Sequence, residues 1–153
     1  YEHTQPGTFM RAMTGLWVVI FVVGSVVMLA LGGQEVAGAV IPGIVMLAVF
    51  TAIIVALFHS LTVRISRSDI AISFGVGLIR KRFPIGDIRS VRIVQNRWYN
   101  GWGIRMIRGG WLYNVSGFDA IEIQLKNERK YRIGTDQPKK LLAAVESALA
   151  GPS

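Results

Sequence analysis

The chain has 153 residues, 52% of them apolar and only 17% charged, with 17 Lys and Arg against 9 Asp and Glu for a net charge of +8. The charge is unevenly spread: Glu35 is the one formal charge from Ala12 to Val63, whereas 16 basic and 7 acidic residues follow from Ser60 onward. This excludes a disordered chain, a collagen-like chain and an ordinary soluble globule, and leaves an apolar half joined to a basic half.

Residues 1–11 form a short N-terminal tail with one basic residue close to the apolar region, Arg11. Ala12 to Gly33 is an uncharged run that, as a helix rising about 1.5 Å per residue, would span a hydrocarbon core of about 30 Å. A second run follows from Val36 to Phe58. Between them, Gly32-Gly33-Gln34-Glu35 suits a tight turn, so residues 12–59 are predicted to form a transmembrane helical hairpin. A signal peptide fits less well, because the first run exceeds the usual apolar core of about 7–15 residues and a second span follows at once. A buried soluble helical pair fails because neither segment has a polar face. The chain begins at Tyr1 rather than Met, which leaves room for preceding residues in the full-length protein.

Basic residues set the expected orientation. Arg11 precedes the first span, Arg64, Arg67, Arg80, Lys81 and Arg82 follow the second, and the turn has no Lys or Arg. The expectation is a multi-pass membrane protein with both termini in the cytoplasm. Ala48, Ala52 and Ala56, after Ala39 and Gly43, recur at a spacing that lets helix backbones approach closely. They mark a packing face for another helix, in this chain or a partner, or simply ordinary alanine usage. Pro42 is placed to kink the second helix. No charge lies inside either span, which argues against a transporter or pump built from this chain alone.

Residues 60–153 form the cytoplasmic domain. Apolar residues alternate with polar ones at Leu61, Val63 and Ile65, then at Ile70, Ile72 and Phe74 after a Ser-Arg-Ser-Asp turn. The pattern repeats at Val91 and Ile93, at Ile121, Ile123 and Leu125, and at Tyr131 and Ile133 after a turn at Asn127-Glu128. Short strands with one buried face, punctuated by glycines, predict a small antiparallel barrel or sandwich. Thr135 and Asp136 then offer N-caps and Pro138 a first helical turn. Leu141, Leu142, Val145 and Leu149 recur at helical spacing up to Gly151-Pro152. This amphipathic C-terminal helix would cover an open end of the sheets.

The string Phe83-Pro84-Ile85-Gly86-Asp87-Ile88 resembles an element of bacterial pleckstrin-homology-like (PH-like) domains. So do Ala120 to Asn127 and Tyr131-Arg132-Ile133-Gly134-Thr135-Asp136 leading into the helix. The resemblance covers roughly Leu61 to Ala150, and the two preceding spans resemble the arrangement in small membrane-anchored members. It implies an α+β protein of the bacterial cytoplasmic (inner) membrane: a transmembrane hairpin, then two near-orthogonal sheets capped by the C-terminal helix. It implies little about activity, since this scaffold serves lipid binding, peptide binding and self-assembly alike. The lysine-rich first hairpin loop of phosphoinositide-binding members has no counterpart in Ser66-Arg67-Ser68-Asp69.

Asn96 to Gly117 is the densest stretch, with Trp98, Trp102 and Trp111, Tyr99 and Tyr113, and Arg97, Arg105 and Arg108. Several readings stay open. The rings and arginines could sit at the membrane interface, anchor a protein partner, or stack on nucleic-acid bases, which a membrane tether disfavours. They could equally complete the domain's core. Arg80, Lys81 and Arg82 are the best local cluster for anionic headgroups, against the alternative of solvated positive-inside charge.

Enzyme motifs are poor. There is no cysteine, the two histidines flank the apolar region, and Gly101-x-Gly103 lacks both the third glycine and the strand–helix setting of a dinucleotide site. Asp119 and Glu122 read as turn and solvent-face residues. Asn114-Val115-Ser116 matches a glycosylation sequon by chance, since it would face the cytoplasm. No cofactor or metal is expected. The expected function is a non-enzymatic membrane-anchored interaction module, an accessory or scaffold subunit contacting membrane lipids and other membrane-protein subunits or itself. The alternative is an anionic-lipid sensor.

Overall fold

The computed structural model describes the backbone of residues 1–151, and all of their side chains except those at 33–35, 37 and 39. Part of the anticipated turn (residues 33–35), Ala39 of the small-residue series and Pro152 after the last helix therefore lie outside the described side chains or residues.

Helical backbone runs over α1 (Thr8–Phe58), with Pro42 inside it. A straight helix of 51 residues would be about 76 Å long. Its ends instead touch: the Gly7 N–H donates to the His59 carbonyl at 2.7 Å, and the Arg11 guanidinium donates to the same oxygen at 3.2 Å. The helix therefore folds back into two legs, Thr8–Gly32 and Val40–Phe58, each long and apolar enough to cross a membrane. At Gly32, the end of the first leg, a Cβ would overlap the Val36 side chain. Gly43, Leu47, Thr51 and Ile54 of the second leg line the cleft against Phe21, Trp17 and Met13 of the first. The outward faces stay bare, with Leu31, Val26, Met46 and Val49 all exposed.

The residues before α1 are a strand and not a tail. β1 (Glu2–Pro6) pairs antiparallel with β2 (Ser60–Ile65), from Glu2↔Arg64 to Pro6↔Ser60. The hairpin is thus an insertion between the first two strands of one sheet. β3 (Asp69–Phe74) and β4 (Ile79–Pro84) complete this four-stranded antiparallel sheet in the order β1-β2-β3-β4.

The second sheet contains β5 (Ile88–Gln95), β6 (Gly103–Ile107), β7 (Gly110–Asn114), β8 (Asp119–Leu125) and β9 (Lys130–Gly134), in the order β5-β8-β9-β7-β6. β7 and β9 run parallel, a departure from the all-antiparallel expectation. The reason is topological: the β6–β7 hairpin leaves β5 and docks on the far side of β9, bringing β7 alongside in the same direction. The ladder does not close. β1 and β4 end one sheet and β5 and β6 the other, so the barrel half of the barrel-or-sandwich expectation is excluded in favour of two packed sheets.

The two sheets share one core. Leu61, Val63, Ile70, Ile72, Phe74 and Phe83 meet Tyr113, Val115, Ile121, Ile123, Tyr131 and Ile133, all buried. The Phe83 and Tyr131 rings lie 4.8 Å apart and the Phe74 and Tyr113 rings 6.1 Å. α2 (Pro138–Leu149) packs Leu141 and Val145 into this core and touches β2, β5 and β8. Gln137, and not Thr135 or Asp136, is its N-cap; the Thr135 hydroxyl accepts the Gln137 N–H one step earlier. The turn at Asn127-Glu128 joins β8 to β9, with Glu128 at a φ of 66°.

Candidate functional site

Strand directions sort the turns of the β-domain into two ends. β2 leaves the helix at Ser60, so the turn after β3 and the start of β4 return to the helix, while Ser66–Ser68 lie far from it. In the second sheet, Gly103 at the start of β6 lies 4.0 Å from the Phe58 ring by the position a Cβ would take, and the Thr8 and Ser116 hydroxyls meet at 2.8 Å. The helix-proximal end therefore comprises Gly75–Leu78, the β5–β6 loop and Val115–Phe118. The far end carries the turns at Ser66–Ser68, Arg108–Gly109 and Lys126–Arg129, and the β4–β5 connection Ile85–Asp87, whose Ile85 N–H donates to the Ser68 carbonyl and whose Ile85 side chain packs half-buried on the core.

The aromatic-arginine stretch does not form one site. Trp98 and Tyr99 lie in a one-turn 3₁₀ helix in the β5–β6 loop and are exposed, Trp98 by 77%. They do not complete the core. The Arg97 guanidinium donates to the Tyr99 hydroxyl at 3.0 Å, and its carbon lies 5.8 Å from that ring's centre. Trp102 is half-buried, stacked on Phe9 in the first turn of α1 with ring centres 3.5 Å apart, and its indole N–H donates to the Gly117 carbonyl. Arg105 donates to the Trp102 carbonyl at 3.2 Å. Arg108 lies at the opposite end of the domain, in the β6–β7 turn.

Trp111 occupies a third place. β4 bonds only to β3 and β6 only to β7, leaving a groove of about 240 Å³ between these two edges. Ile72, Phe74, Ile79, Ile104, Trp111 and Tyr113 line it, with Arg80 and Lys81 beside them. The structure thus brings Trp111 together with two residues of the basic cluster. Lys81 stands opposite Ile72, on the core-facing side of an edge strand, yet is exposed because the sheets part there. An inward cation on an edge strand also blocks sheet-to-sheet pairing between molecules. Tyr113 has its phenol pushed up by burial and then by neighbouring Tyr131, so it remains a neutral donor. Arg82 lies outside the groove, 4.0 Å from Asp69. Ala48 and Ala52 are exposed and Ala56 half-buried; the first two do not face the other leg.

Sequence patterns missed Val76, Leu78 and Phe118, exposed apolar residues in the helix-proximal turns. A signal existed in Gly-Val-Gly-Leu, apolar residues in a turn that favours polar ones. Glu122 was also misread. It lies on the outer face of β8 yet is only 3% exposed, because the Arg92 guanidinium covers its Oε1 at 2.5 Å and Arg132 its Oε2 at 2.8 Å. Burial alone would raise its carboxyl's pKa, but the hydrogen bonds from Arg132 and Arg92 outweigh burial and hold it below the usual range. Asn114 is buried, and its side-chain amide donates to the Gly117 carbonyl, so the sequon nitrogen is already engaged. Among the described residues, no three His, Asp or Glu side chains gather as a metal site would require.

Comparison with protein-family models, with curated proteins and with solved structures finds no match for this chain.

Proposed function

We propose that this chain is a membrane-anchored, non-enzymatic interaction module, an accessory or scaffold subunit of a larger membrane assembly whose two-sheet domain is PH-like. The hairpin spans the bilayer twice, and both termini lie on the cytoplasmic side. Pairing of β1 with β2 supports a common side for the two ends of the hairpin. The bare apolar faces of both legs support a lipid environment, since water would leave them as an exposed patch far beyond what a soluble monomer tolerates.

The observation that carries the reading is the groove between the β4 and β6 edges, with an apolar floor, two cations at its side and no carboxylate among the described residues that line it. Aromatic and arginine side chains around a partly dry floor are what protein contacts favour. The test is photo-crosslinking in native membranes from Trp111 and Lys81 positions, with Ser68 at the far end as control. A discrete adduct from the groove positions, weakened by Lys81→Glu in a second variant, is expected. A strictly monomeric chain with no groove adduct refutes the reading.

A further inference from the structure

We infer that the helix-proximal end of the β-domain is a docking surface for an anionic lipid bilayer, entered by the apolar side chains of its turns. The inference rests on the membrane anchoring proposed above and adds where the domain lies on that membrane.

Three separate chain segments place exposed apolar residues at this one end. Val76 and Leu78 come from the β3–β4 turn, Trp98 and Tyr99 from the β5–β6 loop, and Phe118 from the β7–β8 turn, with Leu78 and Trp98 each 77% exposed. The Val76 N–H donates to the Ala56 carbonyl at 3.1 Å, so this turn abuts the last turn of α1. Phe118 lies 5.7 Å from the Trp102 ring, which itself stacks on Phe9 in the first turn. The apolar turns thus flank both roots of the hairpin. The far-end turns at Ser66–Ser68, Arg108–Gly109 and Lys126–Arg129 contain no apolar side chain. Turn residues do not become apolar at only one end for the sake of the core, because none of these five side chains is buried.

Of the arginines away from the helix roots, Arg64 pairs with Glu2, Arg89 with Glu128, and Arg92 and Arg132 with Glu122, while Arg67, Arg108 and Arg129 in the far-end turns have no ion pair among the described residues. At the helix-proximal end, four arginines rest on neutral oxygens. Arg11 donates to the His59 carbonyl, Arg80 to the Gly77 carbonyl, Arg105 to the Trp102 carbonyl and Arg97 to the Tyr99 hydroxyl. None of these four has a carboxylate partner among the described residues. The acid in these turns, Asp119, takes a hydrogen bond from Gln95 at 3.5 Å. Rings and aliphatic tips at headgroup depth, with guanidinium groups left for phosphates, are the combination an interfacial surface requires. The surface is distinct from the Ser66–Asp69 hairpin turn, which points to the other end of the domain.

The absence of cysteine makes the test direct. The full chain carrying Leu78→Cys, Phe118→Cys or Ser68→Cys is labelled with an environment-sensitive fluorophore and reconstituted into phosphatidylcholine vesicles with or without phosphatidylglycerol. Lipids bearing a shallow nitroxide serve as quencher. Quenching at positions 78 and 118 should exceed that at 68 several-fold, and should rise with phosphatidylglycerol. The rise should flatten when Arg80, Arg97 and Arg105 are all replaced by Gln. Equal quenching at all three sites, or no response to phosphatidylglycerol, overturns the inference. So does shielding of positions 78 and 118 from both the lipid quencher and aqueous iodide, which would mean a protein covers this face. A chain that fails to float with the vesicles at all refutes the anchoring reading instead.

Discussion

Glu122→Gln removes one negative charge that two arginines share. Arg132 is only 25% exposed and contacts Glu122 at 2.8 Å, while Arg92 is 65% exposed. A charge-assisted hydrogen bond is worth about 1.5–3 kcal/mol when partly buried, and an exposed pair about 0.2–1 kcal/mol. The Arg132 contact therefore dominates, and the substitution should destabilise the domain by about 2 kcal/mol. The pH dependence carries a definite sign. A carboxyl held below its unfolded value of about 4.3 contributes stability that is fully present above that value and lost as pH falls through the folded one. Denaturant unfolding of the full chain in detergent, followed by circular dichroism between neutral and acidic pH, reads both effects. The variant should be weaker at neutral pH and lose less on acidification than the parent. A variant equal to the parent at neutral pH, or a parent whose acid loss persists undiminished in the variant, refutes the role given to Glu122.

Phe83 is 1% exposed and packs on Tyr131, so Phe83→Ala should cost about 3–5 kcal/mol by leaving a cavity between the sheets; a fall in unfolding midpoint equivalent to less than 1 kcal/mol would contradict that packing. Gly75 has a φ of +49° and a Cβ there would overlap the Ala56 carbonyl, so Gly75→Ala should loosen the junction between β3–β4 and α1. Hydrogen exchange at the Val76 amide should accelerate by about tenfold or more, equivalent to about 1.4 kcal/mol, with unchanged exchange as the contrary result.

Alternation made β2, β3, β8 and β9 readable because each sets a buried row against the other sheet, and period two survives in the sequence wherever that holds. β5 alternates too, but the face expected to be buried is not: Val91 is half-buried and Ile93 is 41% exposed. β1 left no such trace. Its five residues, Glu-His-Thr-Gln-Pro, bury only Gln5, and the strand exists because the hairpin returns His59 to Gly7 and sets the edge of β2 beside it. β4 reads as a basic cluster because Lys81 occupies a core-facing register position between Ile79 and Phe83. The aromatic stretch was visible as composition, but its division among three places depends on β6 running from one end of the domain to the other within five residues. Glu122 was opaque for a different reason: its cover comes from Arg92 and Arg132 on the two neighbouring strands, and no single-strand pattern encodes burial supplied by partners.

Insertion of the hairpin between β1 and β2 has a mechanical consequence that an N-terminal anchor would lack. The first turn of α1 engages the second sheet through Phe9 on Trp102 and Thr8 on Ser116, while its last turn engages the first sheet through Ala56 and Val76. The Gly7–His59 bond ties the two roots to each other. Tilting the domain on the helices would have to break contacts to both sheets at once, whereas a single linker would permit free rotation. The groove between β4 and β6 is therefore held in a fixed direction relative to α1, starting beside the helix roots and opening along the domain's flank. A partner would have to reach it from the side, because the turns around Leu78 and Trp98 at its root end are the ones inferred to enter the bilayer.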